Sequence, residues 1–476
     1  MRPLICEIET LRSPETLVGQ QAHVVLLHGS GDSSRYSFFA ANPFLVFRSF
    51  GSRCEMTQYT ARPARHVQYG NPWQVLDALM SRYELLDEVD FPFPLGGCFG
   101  FWGYDLKNFT EPKLPRRALN DLELPDCHVG FYDSVVVFDH PLGKTFIIST
   151  GLNADGTRDE ARAHEQFEFW KRALCQPEPL SRPPAKAVAA ASGGNEVISN
   201  FFLSDFLEAV KRAQEYIHAG DIYQVNLSQR LSASCPVTGW EFFQCLNAVS
   251  PAPFAAYVDC GDFQVASSSP EQFLRLSGSH IVTRPIKGTR PRHADPTRDA
   301  QLAYELQTSA KELAELVMIT DLLRNDLGKV CEFGSVQVPE LAKLEKFAHV
   351  QHLVSTVEGR LKKGITHFAA LASCFPGGSI TGAPKFRAME IIDELEPVSR
   401  GPYCGCHGYL GFNRESQLSI TIRTAICARE KVYFNVGAGI VADSRPEAEY
   451  DETVAKAAGF LAALNRACQH TESFAD

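Results

Sequence analysis

Gln272-Phe273-Leu274-Arg275-Leu276-Ser277-Gly278-Ser279-His280-Ile281-Val282-Thr283-Arg284-Pro285 is the stretch on which the fold turns. Two short runs, Gln272 to Leu276 and Ile281 to Pro285, flank a Ser-Gly-Ser turn, which is the pattern of an antiparallel hairpin. A second pair of runs, Ser419 to Ala428 and Lys431 to Val441, predicts another hairpin. Long helical patterns alternate with these hairpins, which argues for an α+β fold and against a doubly wound parallel sheet. With Gly278 at the centre of its turn, Glu271 stands opposite Pro285 and Lys287 becomes its same-face diagonal neighbour. Diagonal neighbours lie about 7–8 Å apart at the backbone, within reach of a long side chain or of a small ligand between them. A carboxyl group and an amine therefore point into one space.

Lys287 belongs to the basic run Arg284-Pro285-Ile286-Lys287-Gly288-Thr289-Arg290-Pro291-Arg292. Such a run is most often a solvated loop or an anion clamp. Its apolar flank, Ile281, Val282 and Ile286, also suits a buried ammonium group, and burial lowers a lysine pKa and frees the amine to attack. In the second hairpin, Ile420, Ile422 and Ile426 share one face of a strand and leave Arg423 with Thr421 and Ala425 on the other. A mid-strand arginine among small residues fits an anion site or an ion pair on a solvated face.

Composition narrows the class. The chain has 476 residues, 45% hydrophobic and 21% charged, enough for two or more domain-sized units. A proline- and alanine-rich run, 173–197, reads as a linker between units at 1–172 and 198–470. The formal net charge of -10 argues against nucleic acid as a partner. No apolar stretch has membrane-spanning length, and Met1 to Glu7 resembles neither a signal nor a transit peptide. The 14 cysteines are scattered in apolar segments such as Ala372-Ser373-Cys374-Phe375, the usage expected of a reducing, cytoplasmic setting. Cys404-Gly405-Cys406-His407 is half of a metal motif without its second half. In the first unit, Val24 to Leu27 reads as a strand, Ser134 to Phe138 pairs with Thr145 to Ile148 across His140-Pro141-Leu142-Gly143, and helical periodicity covers 72–86 and 158–174.

Two helices carry paired carboxylates. Glu312 and Glu315 are spaced i, i+3 beside an apolar run, as are Glu449 and Glu452, with Lys456 a turn beyond. Acidic residues in first turns often only complement the helix dipole. Converging, the two pairs could hold a hard divalent cation such as Mg²⁺. The run Phe375-Pro376-Gly377-Gly378-Ser379-Ile380-Thr381-Gly382-Ala383-Pro384-Lys385 fails as a phosphate loop because Pro384 interrupts its end; it fits a loop entering the helix Lys385 to Leu395. Gly437-Ala438-Gly439 lets either a ligand or a neighbouring strand approach the backbone closely. His352 lies in an alternating apolar strand, where histidines are more often structural than catalytic.

Together these ordered runs resemble the chorismate-utilising enzymes: Ser269-Pro270-Glu271, Pro285 to Arg290, Asp321-Leu322-Leu323-Arg324-Asn325-Asp326, Phe375 to Lys385, and Val436 to Lys456. The first unit is similar to the N-terminal part of component I of anthranilate and aminodeoxychorismate synthases, through Ser34-Arg35-Tyr36-Ser37-Phe38 and Gly103-Tyr104-Asp105. Within the family, anthranilate synthases typically carry a small residue at the position of Lys287, and aminodeoxychorismate synthases a lysine. Gly220-Asp221-Ile222-Tyr223-Gln224-Val225-Asn226-Leu227 also resembles the latter version.

The resemblance implies two antiparallel sheets packed face to face, built by both halves of the chain, with helices outside and the linker as a surface crossover. It implies replacement of the C4 hydroxyl of chorismate by an amino group, toward p-aminobenzoate and folate. Lys287 would attack C2 while Glu271 protonates the leaving hydroxyl, and ammonia from a separate glutamine amidotransferase subunit would then add at C4 and expel the lysine. Glu315 and Glu452 would hold Mg²⁺, with Glu312 and Glu449 nearby. Thr289, Arg423, Gly437, Ala438, Gly439 and Lys456 would bind substrate, and His352 matches an active-site histidine. A tryptophan pocket is also implied, near Leu26-Leu27-His28-Gly29-Ser30, which departs from the family spacing by one residue. Its candidate lining is Ser30, Ser33, Ser34, Arg35, Tyr36, Pro253, Phe254 and Ala255.

Overall fold

The computed structural model describes residues 2–10, 13–29, 35–59, 62–85, 91–175, 196–347 and 350–472. Alternation along the strands sets the architecture, because successive side chains of a strand point to opposite faces. Phe38, Val135, Val137 and Ile148 enter one core, while their neighbours Phe39, Val136 and Ile147 enter another. Sheets buried on both faces lack the apolar-polar alternation of a half-exposed sheet, which is why these strands read as continuous apolar runs.

Two antiparallel sheets of 12 strands each result. One runs from Leu4–Ile8 through Lys144–Ser149, Ser134–Asp139, Tyr36–Ala40, Val25–His28, Phe254–Asp259, Phe263–Ser269, Thr424–Ala428, Lys431–Ile440 and Gln224–Ser234 to Ile198–Ser199. The other runs from Ile286–Pro291 through Val350–Arg360, His280–Arg284, Gln272–Ser277, Glu415–Ile420, Cys406–Gly411, Gly97–Trp102, Cys127–Tyr132, Leu45–Phe50 and Arg53–Gln58 to Ala64–Tyr69. Both halves of the chain thus contribute to both sheets. Most of the expected linker, 176–195, lies outside the described residues.

Aromatic side chains fill the space between the sheets: Phe38 meets Tyr409 at 4.9 Å and Phe101 meets Phe263 at 6.0 Å between ring centroids. Against the outer face of the first sheet pack the helices Glu160–Cys175, Gly239–Val249 and Ala458–Glu472, through Trp170, Phe242, Phe243, Phe460 and Leu464. Thr238 and Glu241 form a reciprocal capping box at the start of Gly239–Val249. The helix predicted over 72–86 stops at Met80. Tertiary contacts take the chain beyond it: the Tyr83 hydroxyl donates to Ala154 O at 2.7 Å and the Leu85 N–H to Phe412 O at 2.7 Å.

The predicted pairing of Ser134 to Phe138 with Thr145 to Ile148 is present, with Phe138 opposite Thr145 and Val135 opposite Ile148. The hairpins differ from expectation in two ways. Ser277 pairs with His280, so the turn is Gly278-Ser279, and a bulge between Gln272 and Arg275 restores Gln272 opposite Arg284. More consequentially, Ser419 to Ala428 is not one strand. Glu415–Ile420 lies in one sheet and Thr424–Ala428 in the other, and Arg423 sits at the crossover with φ +49° rather than mid-strand. Strands that switch sheets make the corners of packed-sheet folds, and the sharp bend there needs backbone values that a continuous strand excludes.

Phe101 is fully buried between the sheets. Phe101→Ala is expected to cost about 3–5 kcal/mol of unfolding free energy in denaturant titration.

Candidate active site

Two crossovers lie side by side. Phe263–Ser269 belongs to the first sheet and Gln272–Ser277 to the second, so Pro270-Glu271 is a corner of the same kind as Thr421-Ile422-Arg423. Three hydrogen bonds tie the corners together: Ser268 N–H to Arg423 O at 3.0 Å, Ser269 Oγ to Ile420 O at 2.6 Å, and Ile420 N–H to Glu271 O at 3.0 Å. Glu271 is buried, 6% exposed. Burial pushes its carboxyl above the usual range, against the Ser379 hydroxyl, Lys287, the Ile286 N–H and Arg423, all of which favour the ionised form. Arg423 is itself pulled below its usual pKa by burial, with Glu271 opposing.

The lysine arrives on a strand that does not stop at Pro285. Ile286–Pro291 continues the line of His280–Arg284, both pairing with Val350–Arg360: Thr283 faces Val357, Ile286 faces Val354 and Lys287 faces Leu353. The continuation brings Ile286 and Lys287 against the Glu271 carboxyl. A bulge follows at Gly288, whose φ of +70° favours glycine, and a Cβ there would meet Leu306 Cδ1 at 2.6 Å and Glu312 Oε2 at 3.0 Å. Beyond it Thr289 pairs with His352, and its hydroxyl lies 2.9 Å from His352 Nδ1. Burial, aided by the Arg423 charge, lowers the His352 pKa to about 4.

The two carboxylate helices come close enough for Glu315 and Glu452 to feel each other's charge. Glu312 and Glu315 project from Ala310–Val330, Glu449 and Glu452 from Pro446–Lys456. Burial raises the Glu315 pKa, and Glu312 and Glu452 raise it further against Lys287 and Lys311. Burial likewise raises that of Glu449, with Glu452 adding to it and a 2.6 Å hydrogen bond from Ser444 Oγ opposing. Each remaining carboxylate has a basic partner: Lys287 Nζ is 3.9 Å from Glu315, Arg290 3.5 Å from Glu312, and Lys456 2.7 Å from Glu452. Among the described residues no three metal-ligating side chains form a cage. Glu315 and Glu452, which raise each other's cost of ionisation, are the carboxylates that could hold a magnesium ion, which usually takes only one or two carboxylates and completes its shell with water and substrate oxygens.

Lys456 also donates to Gly437 O at 2.8 Å. The glycines of Lys431–Ile440 are needed by the protein itself. A Cβ at Gly437 would lie 2.8 Å from Leu227 O and 2.9 Å from the Tyr403 hydroxyl, and one at Gly439 would collide with the Gln224 side-chain amide. Ala438 is fully buried between them.

Ser379 was not singled out from sequence. Its hydroxyl donates to Glu271 Oε1 at 2.7 Å, from the run read above as a loop entering the helix Lys385–Leu395. A hydroxyl within a glycine-rich loop entering a helix was the available signal. Of the residues named for a tryptophan pocket, Tyr36, Pro253, Phe254 and Ala255 line a cavity between the sheets with His28, His407 and Tyr409. Arg35 instead pairs with Asp139 at 2.7 Å, and Ser30, Ser33 and Ser34 lie outside the described residues. No described helix is long and apolar enough to cross a membrane. No disulfide joins cysteines among the described residues.

Comparison with known proteins places the fold and the family. The profile of the chorismate binding enzymes matches residues 30–462. Anthranilate synthase component 1 of Thermus thermophilus is 40% identical over 468 residues, 98% of this chain and 97% of the relative. Aminodeoxychorismate synthase component 1 of Escherichia coli is also 40% identical, over 448 residues and 93% of each chain. Among solved structures, anthranilate synthase component I of Streptococcus pneumoniae superposes with a TM-score of 0.76 at 30% identity, covering 90% of this chain and 93% of that one. The menaquinone-specific isochorismate synthase of Escherichia coli, at 18% identity and a TM-score of 0.71, shares the fold.

His352 is expected to stay neutral until about pH 4. Because its folded pKa lies below the unfolded value, the unfolded chain binds the extra proton, and this residue's contribution to stability is lost as pH falls from about 6.5 to about 4. Unfolding free energy measured across that window should therefore fall less steeply, by up to one proton, in His352→Gln; an unchanged slope would contradict the assignment.

Proposed function

The chain belongs to the chorismate binding enzymes, and within that family we propose that it is the synthase component that makes 4-amino-4-deoxychorismate from chorismate and ammonia. Relatives named for anthranilate synthesis are equally similar, so the proposal rests on one observation: the half-buried Lys287 amine lies within electrostatic reach of the buried Glu271 carboxyl. Direct amination at C2 has no use for a nucleophile at that point. Substitution at C4 by two successive displacements does.

In the first displacement the Lys287 amine bonds to C2, the ring double bonds shift, and the C4–O bond breaks. The departing hydroxyl is a poor leaving group and takes the proton of Glu271. Burial holds that carboxyl above its usual range, the direction that favours a proton donor. Ammonia then bonds to C4, the double bonds shift back, the C2–N bond to lysine breaks, and Glu271 recovers a proton from the incoming nitrogen. Arg423 and Lys456 oppose the substrate's negative charge, and Thr289, whose hydroxyl lies 2.9 Å from His352 Nδ1, is a further substrate-binding residue. When bound, Mg²⁺ would supply positive charge to a substrate carboxylate, held by Glu315 and Glu452 with Glu312 and Glu449 beside them. Component 1 in the relatives' names supports a separate amidotransferase subunit as the ammonia source.

Two measurements test the reading. Intact-mass analysis of protein trapped with chorismate should reveal an adduct that maps to Lys287 and disappears in Lys287→Ala; anthranilate as the main product with chorismate, Mg²⁺ and ammonium would sink the proposal. Glu315→Gln or Glu452→Gln should raise the Mg²⁺ concentration for half-maximal turnover by about tenfold or more.

A further inference from the structure

Arg400 and Glu396 form an ion pair with almost no solvent, 3% and 5% exposed, behind the site rather than in it. The arginine follows the helix Lys385–Leu395, and its Nε and Nη2 donate to the two oxygens of Glu396 at 2.9 and 2.6 Å. Nη1 donates to Ile380 O at 3.1 Å and Nη2 also to Asn226 O at 2.7 Å. The guanidinium lies over the Tyr104 ring at 4.8 Å and the Tyr403 ring at 5.6 Å. Glu396 Oε1 further accepts the Ser228 N–H at 2.8 Å and its hydroxyl at 2.9 Å.

A buried ion pair is a poor device for stability alone, because desolvation offsets most of the Coulomb attraction and an apolar pair of similar volume often serves as well. An apolar pair could not grip two carbonyls from different segments with one rigid, planar group. The two carbonyls are informative. Ile380 follows Ser379, whose hydroxyl holds Glu271, and Asn226 stands opposite Gly439 in the neighbouring strand, with Ser228 opposite Gly437. Tyr403, under the same guanidinium, places its hydroxyl 2.9 Å from where a Gly437 Cβ would be. One side chain therefore fixes the loop behind the acid to the strand that faces the glycine wall.

We propose that Arg400, with Glu396, is a positioning residue of the active site: it sets the distance between the Glu271 acid and the Gly437-to-Gly439 wall, and so where the leaving oxygen stands relative to its proton. The inference rests on the roles given above to Glu271 and the glycine strand. It accounts for Tyr104 and Asn226, which lie in sequence motifs that the chemistry itself does not use.

The test follows chorismate consumption in Arg400→Lys and in the double variant Arg400→Met/Glu396→Leu, which leaves no buried charge unpaired. Misplacement of the acid by a fraction of an ångström to an ångström is expected to lower kcat by about 100-fold. KM for chorismate should stay within about threefold, since groups on the substrate are untouched. Adding Ser379→Ala to either variant should cost less than about twofold more, because both changes act through the same carboxyl. Wild-type kcat in either folded variant, a loss confined to KM, or full additivity with Ser379→Ala would overturn the proposal. Failure of both variants to fold would overturn it as well, by assigning the pair to stability. Wild-type product identity, read in the same assays, tests the aminodeoxychorismate reading separately.

Discussion

The structure depends on a paired corner. Two neighbouring strands leave one sheet for the other at the same place, Ser269-Pro270-Glu271 and Ile420-Thr421-Ile422-Arg423, and their backbones hydrogen-bond across the turn. Interior strands at such a corner cannot present polar side chains to water, so whatever projects there is buried and must find partners within the protein. Glu271 and Arg423 are those side chains, and each lies in the electrostatic field of the other. The corner creates a charge problem that its neighbours answer: the Ser379 hydroxyl, the Lys287 charge and the Ile286 N–H all favour the ionised Glu271 carboxyl.

This arrangement explains what sequence could and could not reveal. The hairpin around Gly278, the strand pair 134–148, the helix Lys385–Leu395 and the carboxylate pairs depend on local period and spacing, and local period is what a sequence displays. The adjacency of Glu271 and Lys287 was legible because a strand continuing past Pro285 preserves the alternation counted from the turn. The corner at Arg423 was hidden because Ile420, Ile422 and Ile426 keep a period of two straight through it, although the first and last belong to different sheets. Packing between sheets decides that bend, and no local pattern marks it. Ser379 and Arg400 escaped notice for a related reason: each acts across more than 100 residues of sequence, on Glu271 and on Asn226.

Several family motifs are architectural. Asp326, 1% exposed, pairs with both Lys385 and Lys329, and Lys385 also donates to Cys374 O and Pro376 O, so the run 375–385 is closed on itself and on the helix Ala310–Val330. Asp221 holds Arg387 on the following helix. Their effect on chemistry is through rigidity: a loop fixed at both ends delivers the Ser379 hydroxyl to one place, and a carboxyl with a fixed partner has one orientation from which to give its proton.

Charge balance extends the argument to the substrate. Glu315, Glu312 and Glu452 are matched by Lys287, Arg290 and Lys456, while Glu449 accepts from Ser444. A divalent cation bound by Glu315 and Glu452 would take the anionic partners of Lys287 and Lys456 together, releasing both side chains for an anionic substrate. A dicarboxylate arriving there would restore the balance, one carboxylate on the cation and its remaining charge on Lys456 and Arg423. The same groups that neutralise one another are thus those that an anionic substrate and its cation would separate.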